Sequence, residues 1–147
     1  MKTVIAFSMA FSVITLAALL GVPGLRMLRP AVVRAQTSCS ATSLSVPYSY
    51  NFSGTFNDNA YGDVGIMSAD GNGKLTGSDT VSNDGAIRQR IFTGTYTVNA
   101  NCSGSARFQF SDGSKTSMDF ALGDGGKAIN FIDTDNGVIV TGTAIAQ

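Results

Sequence analysis

The stretch FTGTYTVNANCSGSARF, Phe92–Phe108, twice places a glycine between two hydroxyl residues. Its other residues are largely β-branched or aromatic and favour strands, whereas glycine weakens a strand interior. Glycine is accepted there when a sheet bends sharply or leaves no room for a side chain. The stretch therefore predicts two strands of a small, curved β-barrel with glycines on the inner face. The triplet recurs as Ser53-Gly54-Thr55, Thr76-Gly77-Ser78, Thr93-Gly94-Thr95, Ser103-Gly104-Ser105 and Thr141-Gly142-Thr143.

Beyond Pro47, the chain repeats this pattern of short β-branched and aromatic runs separated by turn residues. Dipeptides such as Asp84-Gly85 and Asn136-Gly137 favour tight hairpins because their residues accept positive φ. We predict an all-β fold, a single eight-stranded antiparallel up-and-down barrel over residues 48–147, preceded by a polar lead-in over 36–47. The expected strands are Tyr48–Phe56, Asp63–Ala69, Lys74–Asn83, Ala86–Val98, Ser103–Ser111, Lys115–Leu122, Lys127–Asp135 and Val138–Ala146.

Turn lengths predict the register of the hairpins, and the register predicts which side chains share a face. One face collects bulky apolar residues and the five triplet glycines, whereas the other is mostly Thr, Ser, Gln and Asn. The cross-strand pairs expected are Gly77 with Phe92, Asp79 with Arg90, Phe92 with Phe108, Phe108 with Met118, Phe120 with Ile129 and Phe131 with Gly142. The apolar inner residues expected are Phe52, Phe56, Ile66, Leu75, Phe92, Tyr96, Phe108, Met118, Phe120, Ile129, Phe131 and Val140.

The inner face also carries charged residues near one rim, because alternate turns of an up-and-down barrel lie at the same end. An inward charge is costly unless it is paired or wet. We favour a structural salt bridge between Asp79 and Arg90, with the polar end of a ligand cavity as the alternative. The charged inner residues are Asp79, Arg88, Arg90 and Asp133, and the same rim is expected to hold Asp58 and Asp63.

In the ligand-binding interpretation, Arg88 and Arg90 hold a carboxylate or other oxyanion, and Asp79 acts as a base or orients Arg90. Aromatic side chains bury the apolar part of the same ligand. No residue is assigned a catalytic role. The candidate ligand-binding residues are Asp79, Arg88, Arg90, Tyr96, Phe92, Phe108, Phe110, Phe131 and Asp133.

The two cysteines, Cys39 and Cys102, predict one structural disulfide in an exported chain. Cys102 lies in the turn between the fourth and fifth strands, at the rim opposite the charges. A bridge to Cys39 ties the lead-in across that end of the barrel. A reactive thiol pair is the alternative, although no CxxC neighbour is present to lower the thiol pKa.

The N-terminus has the pattern of an export signal. Lys2 precedes an apolar run, Val4–Leu20, and Val33-Arg34-Ala35 resembles a cleavage site. We interpret residues 1–35 as a signal peptide, which predicts a periplasmic or extracellular protein without a membrane span in the mature chain. An uncleaved anchor is the rival interpretation, because the apolar run is nearly long enough to span a bilayer.

Composition excludes several kinds of site. The chain has no His, no Trp and no Glu, so a His-dependent triad and a His-containing zinc site are impossible. The segment 70–74 begins like a calcium loop but places Lys74 at a ligand position, so we predict no metal and no cofactor. Without residues 1–35, six basic residues face ten Asp, a net charge of −4 that disfavours nucleic acid and anionic membranes.

Two stretches carry a family resemblance: ADGNGKLTGSDT, Ala69–Thr80, and FTGTYTVNANCSGS, Phe92–Ser105. They resemble small exported bacterial proteins of uncharacterised function, whose repeated hairpins look like the allene oxide cyclase and dirigent group of calycin-like barrels. The resemblance covers roughly residues 61–144. It implies an apolar cavity and, in some members, control over cyclisation or radical coupling. No functional residue of that group matches a motif here.

Three functions are compatible with these features. The first is a secreted barrel that binds a small apolar or amphipathic ligand without transforming it. The second is a cyclase or isomerase of the allene oxide cyclase type, in which the cavity folds the substrate and Asp79 and Arg90 assist. The third is a structural or association protein of the envelope or matrix, whose core is only a core. Cavity volume separates the third from the others.

Overall fold

A computed structural model describes residues 38–147, and the predicted signal peptide and its membrane-anchor alternative lie outside them. Eight antiparallel strands pair in chain order, and β8 returns to β1 to close a barrel. The predicted fold is confirmed. The strands are β1 Pro47–Phe56, β2 Asn59–Ala69, β3 Lys74–Asn83, β4 Ala86–Val98, β5 Ser103–Phe110, β6 Lys115–Gly123, β7 Ala128–Asp133 and β8 Val138–Ala146. Among the described residues, no helix is long and apolar enough to span a membrane.

The predicted register is confirmed in the hairpins with two-residue and short Asn-Gly turns. Asp79 pairs with Arg90, and Phe131 pairs with Gly142. Three other hairpins are offset by two residues from the prediction, because each turn is centred one residue away from its expected position. A two-residue offset keeps every side chain on its predicted face. The observed pairs are Phe92 with Phe110, Ala106 with Met118, and Phe120 with Phe131.

The loop between β4 and β5 illustrates the cause of the offset. Its four residues, 99–102, form a turn in which the Cys102 N–H donates to the Asn99 carbonyl oxygen at 2.9 Å. Cys102 has a positive φ of 68°, a conformation in which cysteine is uncommon. Cys102 thus completes the turn, and the pairing of the two strands is centred on Asn101 instead of Ala100.

Strand β2 corrects the predicted inner face. Ile66 was expected inside, but it lies on the outer face and is 56% exposed, whereas its neighbour Met67 is buried. The turn of Asn57 and Asp58, both at positive φ, has only two residues. It starts β2 at Asn59, four residues earlier than predicted. It also pairs the inward Phe52 with Asp63, which sets the opposite alternation along the strand.

Aromatic rings lie over the inner-face glycines of neighbouring strands, as the sequence predicts. Gly104 pairs with Phe120, and a Cβ at Gly104 would overlap the Phe120 ring and the Thr97 carbonyl oxygen. In the same way, a Cβ at Gly77 would overlap the ring of its partner Phe92, and a Cβ at Gly142 would overlap the ring of its partner Phe52. The glycines therefore provide the space in which these rings lie against the curved wall.

The lead-in packs across one end of the barrel. A disulfide joins Cys39 to Cys102, as predicted, and Leu44 enters the core with 2% exposure. The Tyr96 hydroxyl lies 2.9 Å from the carbonyl oxygens of both Ala41 and Leu44. These contacts cover the end that carries the 70–73, 99–102 and 124–127 loops, so access to the interior is confined to the other end.

Replacing Gly104 with Ala is expected to destabilise the barrel, because the added methyl group overlaps a ring and a backbone carbonyl that cannot both move. We expect the free energy of unfolding to fall by about 1–3 kcal/mol, the usual cost of overpacking. Gly62→Ala is the matched control, since its Cβ would come no closer than 3.8 Å to a neighbouring atom. Urea denaturation measures both variants, and equal stabilities would refute the packing role of Gly104.

Candidate functional site

The end opposite the lead-in opens into a cavity of about 270 Å³. Its deep part is lined by buried apolar side chains, including Phe52, Phe92 and Met118. Its mouth is lined by exposed or half-buried residues of the strand ends, among them Phe56 and Val138, which pair across β1 and β8. The barrel is therefore filled by side chains at one end and hollow at the other.

A group of phenylalanines forms one wall of the cavity. The Phe92 and Phe108 rings meet edge to face with centroids 5.5 Å apart, and Phe110 lies 5.6 Å from Phe92. Such edge contacts stabilise aromatic clusters beyond the burial of their area. Strands β4 and β5 supply all three rings because their inner positions pair across the shared hairpin. The wall is suited to the apolar part of a small molecule.

The charged pair predicted from the register is present and buried. Arg90 donates from Nε to Asp79 Oδ1 at 3.0 Å and from Nη2 to Asp79 Oδ2 at 2.6 Å. The Asp79 side chain is fully buried and that of Arg90 is 8% exposed. Two parallel charge-assisted bonds hold the guanidinium in one orientation. The salt-bridge interpretation is thus confirmed in geometry, and Arg90 also lines the cavity.

Other groups surround the Arg90 guanidinium. Its Cζ lies 3.9 Å from the centre of the Phe110 ring, a cation–π contact, and its Nη1 lies 4.0 Å from Asp112 Oδ2. Burial by itself lowers the pKa of Arg90, but hydrogen bonds to Asp79 and Tyr61 outweigh it and leave the pKa above its usual value. Arg90 is therefore a fixed positive charge at the inner edge of the mouth.

Replacing Asp79 with Asn is expected to lower the free energy of unfolding by about 3 kcal/mol, because Arg90 keeps its buried charge and loses its bidentate partner. Asp119→Asn is the control, since Asp119 is an exposed residue on the outer face. Its effect should stay within about 0.5 kcal/mol. Chemical denaturation compares them, and an Asp79→Asn cost no larger than the control would show that the pair does not stabilise the fold.

Asp63 is a second buried acid beside Arg90. Its side chain is 5% exposed and its Oδ2 lies 3.5 Å from Arg90 Nη2. The Tyr61 hydroxyl donates to the same oxygen at 2.9 Å, whereas Oδ1 has no hydrogen-bond partner. Burial raises the pKa of Asp63 to about 6, a shift that the Tyr61 hydrogen bond opposes. One positive charge, that of Arg90, therefore lies beside two buried carboxyl groups, those of Asp63 and Asp79.

Burial also acts on the two tyrosines of this group. It raises the pKa of both Tyr50 and Tyr61, and the negative charge of Asp63 raises each further. Both hydroxyls therefore stay protonated and donate. Tyr50 donates to Asp79 Oδ2 at 3.4 Å. The tyrosines form the polar lining between the buried carboxylates and the aromatic wall.

On the far side of the mouth, Asp133 lies among hydroxyl and amide donors. Its Oδ2 accepts from the Thr116 hydroxyl at 2.5 Å, and its Oδ1 accepts from the Asp135 N–H at 2.8 Å. Both oxygens of Asp133 are thus engaged, in contrast to Asp63. Within residues 38–147, no group of three potential metal-ligating side chains is assembled.

The cavity brings together six of the nine predicted site residues: Arg88, Arg90, Phe92, Phe108, Phe110 and Asp133. Asp79 lies behind Arg90, Tyr96 lies at the covered end, and Phe131 lies in the core, so these three are outside the lining. Sequence reasoning left out Tyr50, Tyr61 and Asp63 as site residues. For Tyr61 and Asp63, the signal that could have found them is the two-residue turn at Asn57 and Asp58, which turns both residues inward.

The fold and this geometry define a closed eight-stranded antiparallel barrel with one covered end and one open cavity. No protein-family model matches the chain, and no curated protein matches it significantly. Two solved structures share the fold. A de novo designed fluorescence-activating β-barrel has 14% identity and a TM-score of 0.53, over 73% of this chain and 96% of that one. A redesigned β-barrel has 18% identity and a TM-score of 0.55, over 77% and 99%.

The raised pKa of Asp63 makes its contribution to stability depend on pH. Because the folded pKa of about 6 exceeds the ordinary 3.8, the folded state holds the proton more tightly. This stabilisation is complete below about pH 4 and is lost as the pH rises through about 6. The stability of Asp63→Asn relative to the wild type should therefore increase between those pH values.

Urea denaturation of both proteins across this pH range measures the effect. Asp58→Asn, in the exposed turn next to β2, is the control and should follow the wild type. A constant difference between Asp63→Asn and the wild type across the range would contradict the shifted pKa.

Proposed function

We propose that this protein is an exported barrel that binds a small apolar or amphipathic molecule without transforming it. The observation that carries the proposal is the cavity of about 270 Å³, with a phenylalanine wall and charged residues at its mouth. Binding sites combine an apolar lining with a few placed polar groups, and their volumes begin at about 300 Å³. The volume therefore favours a compact ligand over a long lipid.

The cavity also argues against a purely structural role. An eight-stranded barrel can be filled completely by its own side chains. This barrel instead keeps a cavity whose lining includes Arg90 and Asp63. A protein that used only its outer surface for association would gain stability by filling that space.

A cyclase or isomerase is supported less well than a binding protein. The resemblance to allene oxide cyclase and dirigent barrels suggests such chemistry, and Asp79 was the residue proposed to assist it. Asp79 is fully buried behind Arg90, where it has no access to a bound substrate. Asp133 lines the cavity but both its oxygens already accept hydrogen bonds. Arg90, held by Asp79, is better placed to orient a ligand than to transfer a proton.

Export is supported by the disulfide between Cys39 and Cys102, because such bonds persist in oxidising compartments. The designed barrel described as fluorescence-activating has the same architecture. At 14% identity the likeness extends to the fold alone, so the ligand-binding proposal rests on the cavity and its lining.

Blocking the mouth tests the proposal. Val138 is half-buried and lines the cavity, whereas the next residue, Ile139, lies on the outer face with 75% exposure. Val138→Trp should place an indole in the mouth and weaken binding of the neutral dye N-phenyl-1-naphthylamine at least about tenfold, or about 1.4 kcal/mol. Ile139→Trp adds the same side chain outside and should leave the affinity unchanged.

Dye fluorescence gives the affinities, and circular dichroism confirms that both variants fold. Native mass spectrometry of the wild type, purified from the exported fraction of its host, should detect a bound small molecule that is lost on unfolding. Failure of the wild type to bind either dye or host molecule would overturn the proposed function.

A further inference from the structure

The Asp63 carboxylate has one of the two buried oxygens without a hydrogen-bond partner among the described residues. Its side chain is only 5% exposed, and its Oδ1 has no hydrogen-bond partner. A buried acceptor without a partner is costly, and few occur in native proteins. Asp63 lies on the lining of the proposed ligand cavity, so a ligand could supply the missing donor.

A second unsatisfied acceptor lies beside it. Asn83 Oδ1 is also buried without a partner, and Asn83 also lines the cavity. Asp63 pairs with Val81 across β2 and β3, and Asn83 is the next inward residue after Val81. Diagonal positions of this kind are about 7–8 Å apart, so one donor that lies between the two side chains is within reach of both. Both unmet groups accept, so the head group they fit is a donor.

The charged residues in the buried part of the cavity also favour a positively charged ligand. Arg90 is committed to Asp79 through two short bonds and lies farther, at 3.5 Å, from Asp63. One guanidinium charge is therefore shared between two buried carboxylates. Tyr61 and Phe92 line the same cavity, and aromatic rings attract cations.

We infer that the cavity takes a small amphipathic amine, whose protonated nitrogen donates to Asp63 Oδ1 and Asn83 Oδ1 and whose apolar part packs against the phenylalanine wall. This inference rests on the proposed function and names its ligand class. An anionic ligand would instead use Arg88 and Lys115, which line the exposed mouth. Such a ligand would leave both buried acceptors unmet and would add a third negative charge near Asp63 and Asp79.

Four probes of similar shape test the inference on the wild-type protein: 2-phenylethylamine, 2-phenylethanol, 3-phenylpropanoate and ethylbenzene. Calorimetric titration near neutral pH should show that the amine binds about tenfold or more tighter than the alcohol, because hydrogen bonds to charged groups are the stronger ones. The carboxylate should bind most weakly. This comparison needs no variant and so does not depend on whether a substitution folds.

Substitutions then locate the effect. Asp63→Asn keeps the shape of the side chain and removes its charge, and it should reduce amine affinity about tenfold while leaving ethylbenzene affinity unchanged. Asp119→Asn is the control, since Asp119 is exposed on the outer face and carries the same charge outside the cavity lining. It should change amine affinity less than about threefold, a difference below about 1 kcal/mol.

The outcomes distinguish failure of the amine assignment from failure of the proposed ligand-binding function. Equal binding of amine, alcohol and hydrocarbon would overturn the amine assignment and leave the apolar binding site intact. Preference for the carboxylate would also overturn it and would assign the site to Arg88 and Lys115. Unchanged amine affinity in Asp63→Asn, or an equal loss in Asp119→Asn, would refute the role of Asp63. Absence of binding by all four probes and by the neutral dye would overturn both proposals.

Discussion

The packing of an aromatic ring on a cross-strand glycine is the constraint on which this barrel depends. Phe120 over Gly104 and Phe52 over Gly142 allow large rings to lie along a strongly curved wall. Any side chain at these glycines would push the rings toward the axis and fill the lumen. The same pairs therefore give the sheet its curvature and leave part of its interior empty, so fold and cavity share one cause.

The sequence was sufficient to predict the barrel and most of its inner face, because alternation along a strand survives errors in register. Three hairpins were offset by two residues, and Phe108 nevertheless faces inward as expected. A prediction fails when the alternation itself is ambiguous, as in β2. In that strand, hydrophobicity alone predicts that Val64 and Ile66 face the core. Both are exposed, and Met67 on the opposite alternation is buried instead. The turn at Asn57 and Asp58 decides the outcome.

The same turn explains why only part of the candidate site was predictable. Arg90 and Asp79 were found together because a two-residue hairpin joins their strands and fixes their pairing. Asp63 comes from another hairpin and meets Arg90 only when three strands curve around the axis. Neither hydrogen bonding of one carboxylate oxygen nor the lack of a partner at the other follows from local sequence. These features depend on distances between elements that pairwise strand rules do not give.

The two ends of the barrel divide stability and access between them. The disulfide, Leu44 and the Tyr96 hydroxyl bonds all lie at the covered end, where they hold the lead-in without narrowing the mouth. At the open end, the buried charges are kept in place by one guanidinium with two short bonds to Asp79. A hydrophobic replacement of that pair could stabilise the barrel more. It would also remove Arg90 from the cavity lining, so this pair links the stability of the fold to the polar end of the cavity.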